Sequence, residues 1–214
     1  MGRHARFGYE PAETRWLPVV SALAELLPEG GIRRGATVGV AGSTSLALAV
    51  GARASARGSW CAAVGARALG LLSVAELGYD TARFVLIDAR EPLAWARAVA
   101  ALVDPCDVVL AWPPASLGLK HAEQVRARAR ERDAVLVVAG RWPGRTDLML
   151  TVTRATWIGI DRGAGRLRAR RVEVEVTGRG AASLGRRGVL WLPGPDGEIE
   201  LAERDDVHAA QAAR

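Results

Sequence analysis

Lysine is almost missing from this chain: of 29 basic residues 28 are Arg, and Lys120 stands alone. Cysteine is nearly as scarce. Cys61 and Cys106 both lie in apolar runs, where the thiol behaves as a small hydrophobe, and two such residues make neither a disulfide framework nor a metal centre. No apolar stretch reaches the 18 or more residues that a bilayer span requires, which excludes a transmembrane helix. The first residues, Met-Gly-Arg-His-Ala-Arg-Phe-Gly-Tyr-Glu, lack the apolar region of an export signal, so the expected place is the reducing cytoplasm, with no membrane partner.

What remains is 214 residues, half of them hydrophobic, with a mean hydropathy of +0.09: enough for one globular α/β domain with a sizeable core. That domain is expected over residues 14–204, between a flexible start (1–13) and a flexible tail (205–214) that carry no clear apolar stripe. The net charge of +6 and pI near 10.5 suit an acidic partner such as nucleic acid. Arg beside abundant Ala is equally what a high-G+C coding sequence produces, with the cations spread over solvated helix faces.

Short apolar runs at 36–41, 60–64, 83–87, 107–111 and 134–139 alternate with helical patterns at 44–57, 69–77, 92–102 and 119–132. This alternation predicts a mostly parallel sheet flanked by helices, each strand buried on both faces. An earlier helix is expected over 16–27, where Trp16, Val19, Val20, Leu23, Leu26 and Leu27 recur at helical spacing before Pro28 and the Gly30-Gly31 turn. After Trp142-Pro143-Gly144 the period becomes alternating. A C-terminal antiparallel hairpin is predicted around Asp161-Arg162-Gly163-Ala164-Gly165, and a second from 189–192 and 198–201 around Pro193-Gly194-Pro195-Asp196-Gly197. Pairing Ile160 with Arg166 sets Arg154 opposite Val172, so that Arg154, Arg168 and Arg170 fall on the apolar face. There they either overhang solvent or meet a phosphate or an acidic subunit.

Between Thr37 and Leu48 the chain reads Thr-Val-Gly-Val-Ala-Gly-Ser-Thr-Ser-Leu-Ala-Leu, the outline of a strand, a phosphate-type loop and a helix. A working loop has the spacing GxxxxGK[ST]: glycines open the backbone N–H groups to phosphate, Lys neutralises charge and the hydroxyl holds Mg²⁺. Here Gly42 leads straight to Ser43 and Thr44 with no Lys, about four residues short of that motif. Gly42, Ser43 and Thr44 read as a vestige, with no bound cofactor, no metal and no catalytic residue expected.

The order of helix, Pro/Gly turn, shortened loop, Trp60-Cys61-Ala62-Ala63-Val64, Ala75-Glu76-Leu77-Gly78-Tyr79-Asp80, Asp107-Val108-Val109-Leu110 and a long basic hairpin resembles the RecA core. More narrowly, residues 27–35 (Leu-Pro-Glu-Gly-Gly-Ile-Arg-Arg-Gly), Gly58-Ser59-Trp60-Cys61 and Leu167-Arg168-Ala169-Arg170-Arg171-Val172 are similar to the ImuA-type (ImuA-prime) accessory proteins of the actinobacterial, mycobacterial-style mutasome. The resemblance spans roughly residues 16–201.

The resemblance implies a RecA-like fold from which ATP hydrolysis has been lost. The position of the catalytic Glu falls near Arg67, which cannot act as a general base, and Ala111-Trp112-Pro113-Pro114 stands where the Walker-B Asp would support Mg²⁺. It further implies an adaptor of damage-induced (SOS) mutagenesis and translesion synthesis, nucleoid-associated after damage. Such an adaptor binds an ImuB-type Y-family-like polymerase homologue and, through it, an error-prone C-family polymerase and the sliding clamp. Docking candidates are Trp16, Leu17, Val20, Leu23 and Leu27 of the expected helix, with Trp157 and Trp191 as further anchors. Arg141, Trp142 and Arg145, together with Arg154, Arg168 and Arg170, are candidates for weak DNA contact. Two other expectations share the degraded loop: a SulA-like inhibitor of a cell-division GTPase, and a weak ATPase with a rearranged loop.

Overall fold

The computed structural model describes residues 15–161 and 164–202. The flexible ends expected at 1–13 and 205–214, and the tip of the first hairpin, lie outside the described residues.

Five short apolar runs form the parallel strands β3 (Thr37–Ala41), β4 (Cys61–Val64), β5 (Phe84–Ile87), β6 (Val108–Ala111) and β7 (Val135–Ala139). Strands β8 (Leu148–Asp161), β9 (Ala164–Gly178), β10 (Arg186–Trp191) and β11 (Glu200–Leu201) extend the same sheet. The order is β11-β10-β9-β8-β3-β7-β6-β4-β5. From β8 to β5 every pairing is parallel, and from β8 to β11 every pairing is antiparallel.

The helices divide between the two faces of the sheet. α2 (Thr44–Ala56) packs with Val135, Val137, Cys61 and Ala63, whereas α4 (Pro92–Leu102) and α5 (Leu119–Glu131) pack with Leu136, Val138, Ala62 and Val64. This alternation along single strands is why β4, β6 and β7 read as unbroken apolar runs. α2 is rich in Ala and Gly because it is covered on nearly all sides, its side chains from Leu46 to Val50 being buried. α3 (Leu71–Glu76) is short and buries only Val74. The strand and helix boundaries of the βα units follow the expected ones to within two residues.

The start of the domain departs from expectation. In place of a helix over 16–27 there is a strand β1 (Trp16–Pro18), antiparallel to β2 (Gly31–Arg33), and a single helical turn α1 (Ser21–Ala24). Pro18 accounts for the start of the segment: it disfavours helical backbone at Leu17, which is extended in β1. Leu17 pairs with Ile32, and Leu17, Leu23 and Leu27 are buried in the domain's own core against α2.

The first hairpin also has a different register. Ile160 faces Gly165 rather than Arg166, Trp157 faces Arg170, and Arg154 faces Glu173 rather than Val172. Two irregularities cause this. One is a bulge between Val152 and Arg154; the other lies between Ile158 and Ile160, at Gly159 (φ +115°), where a side chain would meet the Arg166 carbonyl oxygen. The first bulge moves Arg154 off the apolar face, where its guanidinium lies 3.8 Å from Glu173. Arg170 stays on the face of Val172 and Val174, as expected. The second hairpin forms as expected, with Leu190 paired to Leu201.

Candidate functional site

Strand β3 passes into α2 through Gly42 and Ser43 alone. Gly42 has φ +84°, and a side chain there would come within 3.1 Å of the Val152 carbonyl oxygen, so both conformation and the nearness of β8 require glycine. Ser43 caps α2: its Oγ accepts from the Leu46 N–H at 3.2 Å. The same Oγ accepts from Arg170 Nη1 at 3.2 Å, and the Arg170 guanidinium lies over the Trp157 ring, 5.6 Å from its centre. A helix N-terminus favours an anion. Here its cap is held by a cation of the chain itself.

Beside this turn a cleft of about 660 Å³ opens over the carboxyl ends of β4, β5 and β6, lined by Thr44, Arg67, Arg90, Trp112, Pro113 and Pro114 among others. It lies where neighbouring strands send their helices to opposite faces of the sheet, the usual place for a ligand in an open α/β sheet. Gly65 forms part of its floor with φ +79°; a Cβ there would sit 2.5 Å from the Trp112 carbonyl oxygen. Arg90 forks onto Asp88, with Nε 3.0 Å from both oxygens. This bond, helped by the charges of Arg90 and Arg67, holds the Asp88 carboxyl below its ordinary range. The cleft lining presents two guanidinium groups, Arg67 and Arg90, and no carboxylate. Among the described residues no three His, Cys, Asp or Glu cluster as a metal site would require. A second cleft, of about 460 Å³, opens at the opposite end of the strands, before β3 and β8, where Arg33, Arg130 and Arg179 stand with Glu29, Asp133 and Asp147.

The structure gathers Thr44, Arg67 and Trp112, three positions singled out separately in the sequence, around one cleft. It disperses the others. Trp142 leans on Trp95 with ring centres 6.3 Å apart, and its Nε1 donates to the Arg145 carbonyl at 3.3 Å; it serves as packing on the α4–α5 side. Arg141 and Arg145 flank it exposed, and the Arg145 N–H donates to Glu123 at 2.8 Å. Leu17, Leu23 and Leu27 are core residues rather than a docking face, Trp16 and Val20 are half-buried, and Trp191 is buried. Trp157 is 49% exposed. Sequence reasoning missed Arg90 and Asp88, although a charged pair directly after an apolar run was the available signal.

A sequence profile of the MT3502 N-terminal domain matches residues 25–144, more than half of the chain. The chain belongs to the MT3502 N-terminal domain family. No curated protein matches it. The MT3502 N-terminal domain match contains β2 to β7, and with them the Gly42-Ser43 turn and the cleft. Strands β8 to β11 follow it. No helix among the described residues is long and apolar enough to cross a membrane.

Proposed function

We propose that this protein is a non-catalytic adaptor of damage-induced mutagenesis, an ImuA-type protein on a RecA-like core that binds an ImuB-type Y-family-like polymerase homologue. Through that partner it supports an error-prone C-family polymerase at a clamp-bearing template. The observation that carries the reading is the two-residue turn after β3: Ser43 Oγ is engaged by the Leu46 N–H and by Arg170, and no Lys is at hand to hold a triphosphate. The sheet order β5-β4-β6-β7-β3-β8-β9-β10 supports it too, since the loop-bearing first strand lies in the interior, beside the fifth and sixth, as fits a RecA-like core. So does the cleft. By the resemblance to RecA, Arg67 falls near the position of the general base and Ala111-Trp112-Pro113-Pro114 at that of the metal-supporting carboxylate, and Arg67, Trp112, Pro113 and Pro114 line this cleft.

A protein that has kept such a scaffold without its reaction works through surfaces. Co-expression with an ImuB-type protein followed by size-exclusion chromatography tests this, with co-elution expected; co-elution with the tubulin-like division GTPase instead overturns it in favour of a SulA-like inhibitor. A fluorescent ATP analogue with Mg²⁺ is expected to show no saturable binding. Micromolar affinity restores the ATPase reading.

A further inference from the structure

Beyond the MT3502 N-terminal domain the sheet runs out into a two-stranded ribbon. β8 is paired to β3 only through Thr151, and on the other side β9 is accompanied by β10, Leu192 and Pro193 only as far as Arg170. Residues 154–161 and 164–169 therefore pair only with each other. A ribbon of two strands in water has little to stabilise it beyond its cross-strand pairs, and this one exposes large side chains, with Trp157 at 49% and Leu167 at 46%.

Its charge is of one sign. Its described arginines are Arg154, Arg166, Arg168 and Arg170. Arg168 and Arg170 flank the buried Ala169, about 6.8 Å apart along the strand, on the face that also carries Trp157. Arg166 follows, exposed, past the irregularity at Gly159. Arg154 is 74% exposed on the other face, at 3.8 Å from Glu173. Among the described residues no ion pair engages Arg166 or Arg168.

We infer that this ribbon is a binding surface for single-stranded nucleic acid, Arg166 and Arg168 meeting successive phosphates and Trp157 stacking on a base with the ring face turned away from Arg170. Charge complementarity selects a polyanion, and an exposed indole among guanidinium groups selects one with aromatic bases. The inference stands on the ribbon alone and does not require the mutasome reading; its failure would leave that reading in place.

The test is fluorescence anisotropy of the full chain with a labelled oligothymidylate of about 16 nucleotides across a salt series. Binding is expected to weaken as salt rises. Removing one phosphate-binding arginine should lower the magnitude of the log–log slope by about 0.7, so Arg166→Ser with Arg168→Ser lowers it by about 1.4. The Lys pair at the same positions keeps the slope. Trp157→Ala weakens binding about tenfold with the slope unchanged. The inference is overturned if the oligonucleotide does not bind at low salt, if the Ser pair binds as the parent does, if a duplex of equal length binds more tightly, or if polyglutamate displaces the oligonucleotide as well as unlabelled oligothymidylate does.

Discussion

Arg34 and Asp107, 73 positions apart, meet at the amino-terminal end of the sheet, with Nη1 2.8 Å from Oδ1 and only 1% of the Asp107 side chain exposed. The pair ties the turn after β2 to the start of β6, so the β1–β2 hairpin is fastened to the βα core by charge as well as by Leu17 and Ile32. Removing one partner of a buried ion pair costs more than the pair contributes, because the remaining charge stays desolvated. Arg34→Ala is expected to lower stability by about 3 kcal/mol, read as a fall in the urea midpoint at unchanged slope.

Gly65→Ala is expected to destabilise by about 2 kcal/mol, since the new Cβ meets the Trp112 carbonyl oxygen and the backbone is held at positive φ. For a domain of this size that lowers the melting temperature by about 4–8 °C. Gly70→Ala, where a Cβ meets nothing, serves as the control.

Tyr79 donates its hydroxyl to the Leu48 carbonyl of α2 at 2.5 Å, in the space left by Gly51. Burial, helped by Cys61, pushes the phenol well above its ordinary 10.0. A raised folded-state value means that the protonated form contributes stability fully below about pH 10 and that this contribution is lost as pH rises further. Tyr79→Phe is expected to cost about 1 kcal/mol at neutral pH and to flatten the alkaline fall in stability, measured by urea unfolding between pH 8 and about 11.

Leu23 separates core from docking face. Fully buried beside Leu17 and Leu27, its change to Ala is expected to cost about 3 kcal/mol in the isolated chain. An unchanged melting temperature with loss of a partner would mean that this residue serves an interface instead.

The βα units were legible because their strands are buried on both faces and their helices begin and end on clear signals: Pro92 starts α4, Ser43 caps α2, and Gly58 follows α2. The segment 16–27 misled because Trp16, Val19, Val20, Leu23, Leu26 and Leu27 keep a helical spacing although residues 16–18 form β1, and the restriction that Pro18 puts on Leu17 was the signal against helix at the start. The hairpin register was not legible, since a bulge at Val152–Arg154 has no unique signature in a run of alternating residues, although Gly159 marked the second irregularity. Of the site, Thr44, Arg67 and Trp112 came from three distant segments, and only the strand order brings them to one edge. Nothing in the periodicity announced that Arg170 reaches Ser43.

That last contact adds a side-chain tie at the base of the ribbon to the ladders of β8 on β3 and of β9 on β10. Both strands of the arm are thereby fastened where they leave the body of the sheet. Whatever grips its far end takes hold of the entire molecule's orientation, much as the handle of a key sets the direction of its teeth.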